Sequence, residues 1–255
     1  MKMMKTLHIT CLAMLATAVA AVMPGEARAV DFTNERLKYE IVYQWGVIWK
    51  HAANATLSIK KSGNGYNAML VGRTRSWADD IYPVRDTLKC FINNKLQPVR
   101  YQKLTHEKNY YARDVVDFTR SGGKTHGKGV RYRPDRETST VNLSAKGEAY
   151  DMLSVFYMLR SLDFANMANG TKKTTHIFSG KEKEKLTITY RGKKTISLRD
   201  KSKHNAYHIT FSFTTDGGKK SSDAISAYLS TDDKKIPLLL VGKLPVGEVK
   251  VYYKK

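Results

Sequence analysis

Leu37-Lys38-Tyr39-Glu40-Ile41-Val42-Tyr43-Gln44-Trp45 decides the fold. Leu37, Tyr39, Ile41, Tyr43 and Trp45 alternate with Lys38, Glu40 and Gln44, the period of two that gives a strand one buried and one wet face. The same alternation spreads outward. Leu57 and Ile59 follow Ala55, and Ser62-Gly63-Asn64-Gly65 reads as a hairpin turn because Asn and Gly accept positive φ. Strands are expected over Tyr66 to Trp77, Thr87 to Asn93, Val99 to Glu107 and Tyr110 to Thr119. The glycine-rich Ser121 to Gly129 reads as a long hairpin loop, with Val130 to Arg133 returning. Later, Leu186, Ile188 and Tyr190 face one way, and so do Tyr207, Ile209, Phe211 and Phe213. Asp216-Gly217-Gly218 is a turn, and Ala224 to Ser230, Ile236 to Gly242 and Val246 to Tyr253 close the chain.

One segment breaks the pattern. Met152, Val155, Phe156, Leu159 and Leu162 recur at steps of three and four, which predicts an amphipathic helix over about 152–162. Asp151 is its N-cap and Ser154 sits at N3. Ten or more strands joined by short turns predict a mainly β protein. The expected architecture is a large curled antiparallel sheet forming a barrel or half-barrel, because curling removes edges. The central helix would plug or cover the open side. No Pro- or Ser-rich linker interrupts the chain, so residues 30–255 are expected to form a single barrel-like domain.

Residues 1–29 read as a cleaved signal peptide. Lys2 and Lys5 precede an uncharged run from Leu7 to Met23, and Ala27-Arg28-Ala29 is an A-x-A cleavage signal. Cys11 lies in mid-run rather than at its end, so acylation there is not expected. Cleavage would leave 226 residues, enough to build a core without staples. Cys90 would then be the one remaining cysteine, so no disulfide is expected. It sits in a strand pattern with no histidine nearby in sequence and reads as a small buried hydrophobe. No later apolar run reaches 18 residues, the length a membrane helix needs. An outer-membrane barrel uses the same alternation, but the internal helix and the charge argue against one.

The formal net charge is +21. Removing three basic residues and one acidic residue with the signal leaves 41 basic against 22 acidic, a net of +19. Such a balance attracts anionic partners. Arg191, Lys193, Lys194, Arg199, Lys201 and Lys203 face Asp200 alone and are the candidate anionic-surface residues; a solvated basic face is the simpler reading. No zinc finger, aromatic RNA-binding motif or helix-turn-helix accompanies them, so nucleic acid is not expected.

No catalytic constellation emerges. Asp79-Asp80 with Asp86, and Asp232-Asp233, are the acidic clusters, which makes Asp79, Asp80 and Asp232 the weak catalytic candidates. Trp77 precedes the first pair, as a sugar-stacking platform would. Trp45, Trp77, Tyr157 and Arg160 are candidate ligand-lining residues. Asp151, Ser154 and Arg160 are polar groups in an otherwise apolar helix and read first as caps and a buried pair. His204 and His208 are about 13 Å apart along a strand, too far for one metal ion. Gly123-Lys124-Thr125 lacks the upstream glycine of a phosphate loop, since Phe118 stands there. No metal and no cofactor are expected.

Three segments carry a family resemblance. Tyr43-Gln44-Trp45-Gly46 with Ala52 to Leu57, then Asp151 to Arg160, then Ser226 to Asp232 with Ile236-Pro237 and Gly247-Glu248-Val249, resemble the exported bacterial family called domain of unknown function 3108 (DUF3108). The likeness spans roughly Phe32 to Tyr253. It implies a Gram-negative envelope protein with a β-rich, barrel-like domain and implies no reaction. The expectation is therefore a periplasmic protein that binds an apolar or anionic envelope ligand (lipid, lipoprotein or glycan) without catalysis, with peripheral membrane contact as a further possibility. A glycan-acting or other hydrolase built on the carboxylates is one alternative, and a structural or partner-binding envelope protein is the other.

Overall fold

In the computed structural model, which describes residues 30–215, 225–244 and 247–255, the alternation becomes a meander. The signal segment 1–29, with Cys11, and the turn Asp216-Gly217-Gly218 lie outside the described residues. Strands β1 (Arg36–Trp45), β2 (Ile48–Ser62), β3 (Gly65–Thr74), β4 (Arg85–Asn93), β5 (Pro98–Glu107), β6 (Tyr110–Ser121), β7 (Lys124–Arg133) and β8 (Arg136–Lys146) each pair antiparallel with the next. A second run does the same: β10 (Lys172–Phe178), β11 (Lys183–Ser197), β12 (Lys203–Thr215), β13 (Ile225–Ser230), β14 (Pro237–Lys243) and β15 (Glu248–Lys254). Strand β15 returns to pair with β1, and the two-residue β9 (Ala149–Tyr150) pairs parallel with β10. The result is one 15-stranded sheet, nearly closed, whose two edges are β8 and β9.

Those edges are neighbours in the chain, separated only by Gly147-Glu148. They are tied by the Thr175 hydroxyl, which donates to the Glu148 carbonyl at 3.0 Å, and by Lys183 Nζ, which donates to the Ser144 carbonyl at 3.1 Å. Across the lumen the rings of Phe118 and Phe178 stack 5.6 Å apart. This approach corrects the loop expected over Ser121 to Gly129. Gly127 belongs to β7, where a Cβ would lie 2.6 Å from the Phe178 ring. Its glycine therefore serves close packing rather than a loop. Two further boundaries differ. Trp77 ends no strand but sits in the short α1 (Ser76–Asp79), and the unforeseen β8 is a largely exposed edge.

The helix expected over about 152–162 is observed as α2 (Ser154–Arg160). Its apolar periodicity runs on into the flanking turns because those are also in the core: Leu153 is 0% and Leu162 9% exposed. Asp151 still captures the first turn. Its Oδ1 accepts from the backbone N–H groups of Leu153 (2.7 Å) and Ser154 (2.9 Å), while Ser154 Oγ accepts from Asp151 N–H at 3.1 Å. The helix fills the lumen against Leu37, Tyr39, Leu57, Leu70, Leu88 and Ile92. The outward set of β1 and β2, Lys38, Glu40, Asn54, Thr56, Ser58 and Lys60, is polar. Among the described residues no helix is long and apolar enough to cross a membrane.

A bulge between Tyr190 and Lys193 bends the long β11–β12 arm. Ile196 and Leu198 then pack on Leu238 and Leu239 as a second small apolar cluster, and Arg199 reaches Glu40 at 2.6 Å.

Candidate functional site

The two ends of the barrel differ. At the end that holds the β13–β14 turn and Glu35, α2 seals the lumen. Arg160 is 0% exposed, and its guanidinium donates to both Glu35 carboxylate oxygens (2.6 and 2.7 Å) and twice to the Lys234 carbonyl (3.0 and 2.8 Å). It also lies 4.8 Å from the centroid of the Phe32 ring. Tyr157 is equally buried and packs edge-on to Phe32. Both residues are thus taken up by internal partners, away from any opening.

At the other end the lumen is open. The inward residues of β1 past Ile41 meet small residues on β2 and β3, Ala52, Ala53 and Gly72, and leave an apolar cavity of about 450 Å³. Ile41 and Val249 form its floor. Tyr43, Trp45, Ile48 and Lys50 form one wall, and Trp77, Ala78 and Ile81 cover the other side from α1 and the turn after it. That volume falls in the range of small-molecule sites, about 300–1,000 Å³.

Local chemistry holds α1 in place. Arg85 clamps Asp79 through two hydrogen bonds (2.8 and 2.6 Å), and Thr74 donates to the same carboxylate. The Trp77 indole donates to the His51 carbonyl at 2.8 Å, and Lys50 Nζ sits 4.3 Å from the centroid of its ring. The Arg85 fork holds the Asp79 carboxyl below the usual carboxylate range, so it is an ionised clamp rather than a proton donor.

The rim is unusual for a turn. Trp45 and Ile48 pair directly across a two-residue loop, Gly46-Val47, with Gly46 at φ 56° as such a turn requires. Exposure is 64% for Trp45, 94% for Val47, 54% for Ile48, 42% for Trp49 and 57% for Ile81. A tight turn normally carries polar residues; this one carries four large apolar side chains.

The structure therefore brings Trp45 and Trp77 to one cavity, on opposite sides of it, and leaves Tyr157 and Arg160 in the sealed core. It does not bring the catalytic candidates together. Asp79 is clamped and Asp80 is exposed at the end of α1. Asp232 caps its own turn, accepting from Ser230 Oγ and the N–H groups of Lys234 and Lys235. Asp86 is 1% exposed, accepts from His106 N–H at 3.0 Å and stands 3.8 Å from Lys103; burial raises its carboxyl above the usual range. The six basic residues from Arg191 to Lys203 are all exposed on the β11–β12 arm. Cys90 is buried and donates to Asp151 Oδ2 at 3.0 Å; burial and that carboxylate push its thiol well up. His208 stacks on Tyr228 and His204 bonds Ser202. A second concavity on the outer face, among His106, Tyr111, Arg113 and Tyr132, is a more open depression of mixed lining, and its Arg85 and Arg133 are already engaged by Asp79 and Asp114. Sequence reasoning missed Val47, Ile48, Trp49 and Ile81. The signal that marks most of them is a run of apolar residues, Trp45-Gly46-Val47-Ile48-Trp49, where a turn should be polar.

Fold and site together define a barrel-like β protein, plugged at one end by a helix and hollow and apolar at the other. Residues 38–254 match the family model for DUF3108, a protein family of unknown function, and the chain belongs to that family. Among solved structures it is similar to a beta-barrel-like protein of domain of unknown function DUF1849 from Brucella abortus, with a TM-score of 0.61 and 13% sequence identity. That match covers 89% of this chain and 98% of the other. At that identity the likeness concerns the fold. None of the curated proteins matches the chain.

Proposed function

We propose that the protein is an exported envelope protein that binds the apolar chain of an amphiphile in the open end of its barrel, without catalysis. The apolar cavity of about 450 Å³ under α1 carries this reading. An apolar chain entering it displaces water that has few polar partners, which favours binding. Lys50 and Arg73 line the same cavity and would meet an anionic headgroup at the mouth. The signal-like residues 1–29 and the polar outer face support a water-filled compartment such as the periplasm of a Gram-negative bacterium.

The test is displacement of a fluorescent fatty acid, beside native mass spectrometry of the protein as purified. Ala53→Trp fills the cavity from its wall. The reading requires chain-length-dependent binding to the wild type and at least a tenfold loss in Ala53→Trp with an unchanged far-ultraviolet spectrum. Equal binding by the two proteins, or none by the wild type, refutes it.

A further inference from the structure

We propose that the β1–β2 hairpin tip and the α1 turn form a membrane-docking surface that inserts into the headgroup region of an anionic bilayer. This surface rests on the rim itself and holds whether or not the cavity takes a ligand. Four large apolar side chains lie within five consecutive residues at the tip, and the most exposed, Val47, has nearly its whole surface in water. Ile81 joins them from across the cavity mouth. A contiguous apolar tip of this kind on a soluble domain marks an interaction site.

The chemistry around the tip selects the partner. Trp45 and Trp49 have the amphipathic indole that settles at a bilayer interface. Lys50, Arg73 and Arg75 flank the rim, and Asp80 is the exposed acidic group among them. Two other nearby carboxylates are already neutralised: Asp79 by Arg85, and Glu248 by Lys250 at 3.0 Å. Lys250 Nζ also lies 4.2 Å from the Trp49 ring centroid. An apolar tip within a basic collar matches an anionic lipid surface, which offers apolar depth and negative charge together. The collar would hold the barrel upright with the cavity mouth facing the lipid.

The experiment is co-sedimentation of the purified protein with vesicles of phosphatidylglycerol and phosphatidylethanolamine, against vesicles of phosphatidylcholine alone. All three tryptophans (Trp45, Trp49 and Trp77) lie at this end, so quenching by brominated acyl chains reads insertion directly. Val47 does not line the cavity, so Val47→Asp leaves fatty-acid binding as a separate control. The expected result is preference for the anionic vesicles, quenching by brominated lipid, and at least a tenfold weaker partition for Val47→Asp with fatty-acid binding retained. Three results overturn the proposal. One is unchanged partition of Val47→Asp, or no vesicle binding at all. Another is loss of binding in Lys201→Glu/Lys203→Glu but not in Val47→Asp, which assigns the contact to the β11–β12 arm. The last is a dimer in sedimentation velocity that Val47→Asp dissociates without change at the vesicles, which assigns the tip to a second copy of the chain.

Discussion

Glu35 and Arg160 test whether the sealed end of the barrel is structure or site. Arg160 is fully buried and Glu35 is 15% exposed, and they share two hydrogen bonds of 2.6 and 2.7 Å. The guanidinium also holds the Lys234 carbonyl, so one side chain ties the segment before β1, the helix α2 and the β13–β14 turn together. Removing one partner of a buried ion pair leaves the other charge uncompensated, at about 3–5 kcal/mol. Glu35→Ala strands the deeper charge and belongs at the upper part of that range. Arg160→Met strands the shallower carboxylate, which can reach water, and belongs at about 3 kcal/mol. The double variant Glu35→Leu/Arg160→Met strands no charge and is expected within about 1 kcal/mol of the wild type, or above it. With Glu35→Leu as the matching single variant, the cycle should therefore show a coupling of about 6–8 kcal/mol. Urea unfolding followed by far-ultraviolet circular dichroism measures it. In a thermal melt Glu35→Ala should fall by about 8–20 °C, at about 2–4 °C per kcal/mol for a chain of this size. The reasoning is refuted if Glu35→Ala melts with the wild type. It is also refuted if Arg160→Met keeps its stability and loses fatty-acid binding, since Arg160 would then be a ligand group.

Other expectations follow from the same core. Phe156→Ala, at a position 3% exposed in the helix that fills the lumen, should cost about 3–5 kcal/mol in urea unfolding. Asp151→Ala strips two buried backbone donors of their acceptor, at about 1–3 kcal/mol each, whereas Asp151→Asn keeps an acceptor oxygen and should cost little at neutral pH. Burial raises the Asp151 carboxyl, outweighing its hydrogen bonds from Cys90, Ser154 and Leu153. A raised folded pKa gives stability that is full below the unfolded value and lost as pH climbs through the folded value. Stability against pH should therefore fall less steeply above about pH 4 in Asp151→Asn, less steeply rather than flat because Asp86 is shifted the same way. Cys90 should resist alkylation in the folded protein and react fully in denaturant, because burial keeps the thiol protonated.

Much of the fold was legible because burial imposed a period. Leu37 to Trp45 alternates since one face of β1 meets the core, and Met152 to Leu162 steps by three and four since α2 and its turns are buried along one face. Strand β8, Arg-Glu-Thr-Ser-Thr-Val-Asn-Leu-Ser-Ala-Lys, was illegible because its first half is exposed on both faces, which leaves only Val141, Leu143 and Ala145 to alternate, too short a run to stand out. Four residues of α1 are too few to show a helical period at all. The cavity was only half legible. Trp45 and Trp77 stand out as aromatics, but a cavity is made by what is missing, here the bulk absent at Ala52, Ala53 and Gly72. Ala52 and Ala53 are distant from Trp77 and Val249 in the chain, and only the curled sheet brings them to one space. Arg160 reads first as half of a buried pair, but a lone arginine in an apolar helix gives no hint that the carboxylate lies 125 positions away.

The energetics of the cavity set what it can hold. A sealed void of about 450 Å³ would cost on the order of 11 kcal/mol at about 24 cal/mol per Å³, comparable to the whole net stability of a domain. The open mouth removes that cost by admitting water, and the apolar wall makes the water easy to displace. A chain of roughly ten methylenes gains about 8 kcal/mol on burial, at about 0.8 kcal/mol each. Association costs at least about 4 kcal/mol of that, which leaves binding by the chain alone near the millimolar range. Tighter binding then needs either a headgroup contact at Lys50 and Arg73 or a rim already seated at the lipid surface. A site of this depth suits exchange of a chain with a bilayer better than permanent storage. Under the two proposals the apolar tip and the hollow end form one device: the tip would bring the mouth to the membrane, and the shallow affinity would let the chain leave again.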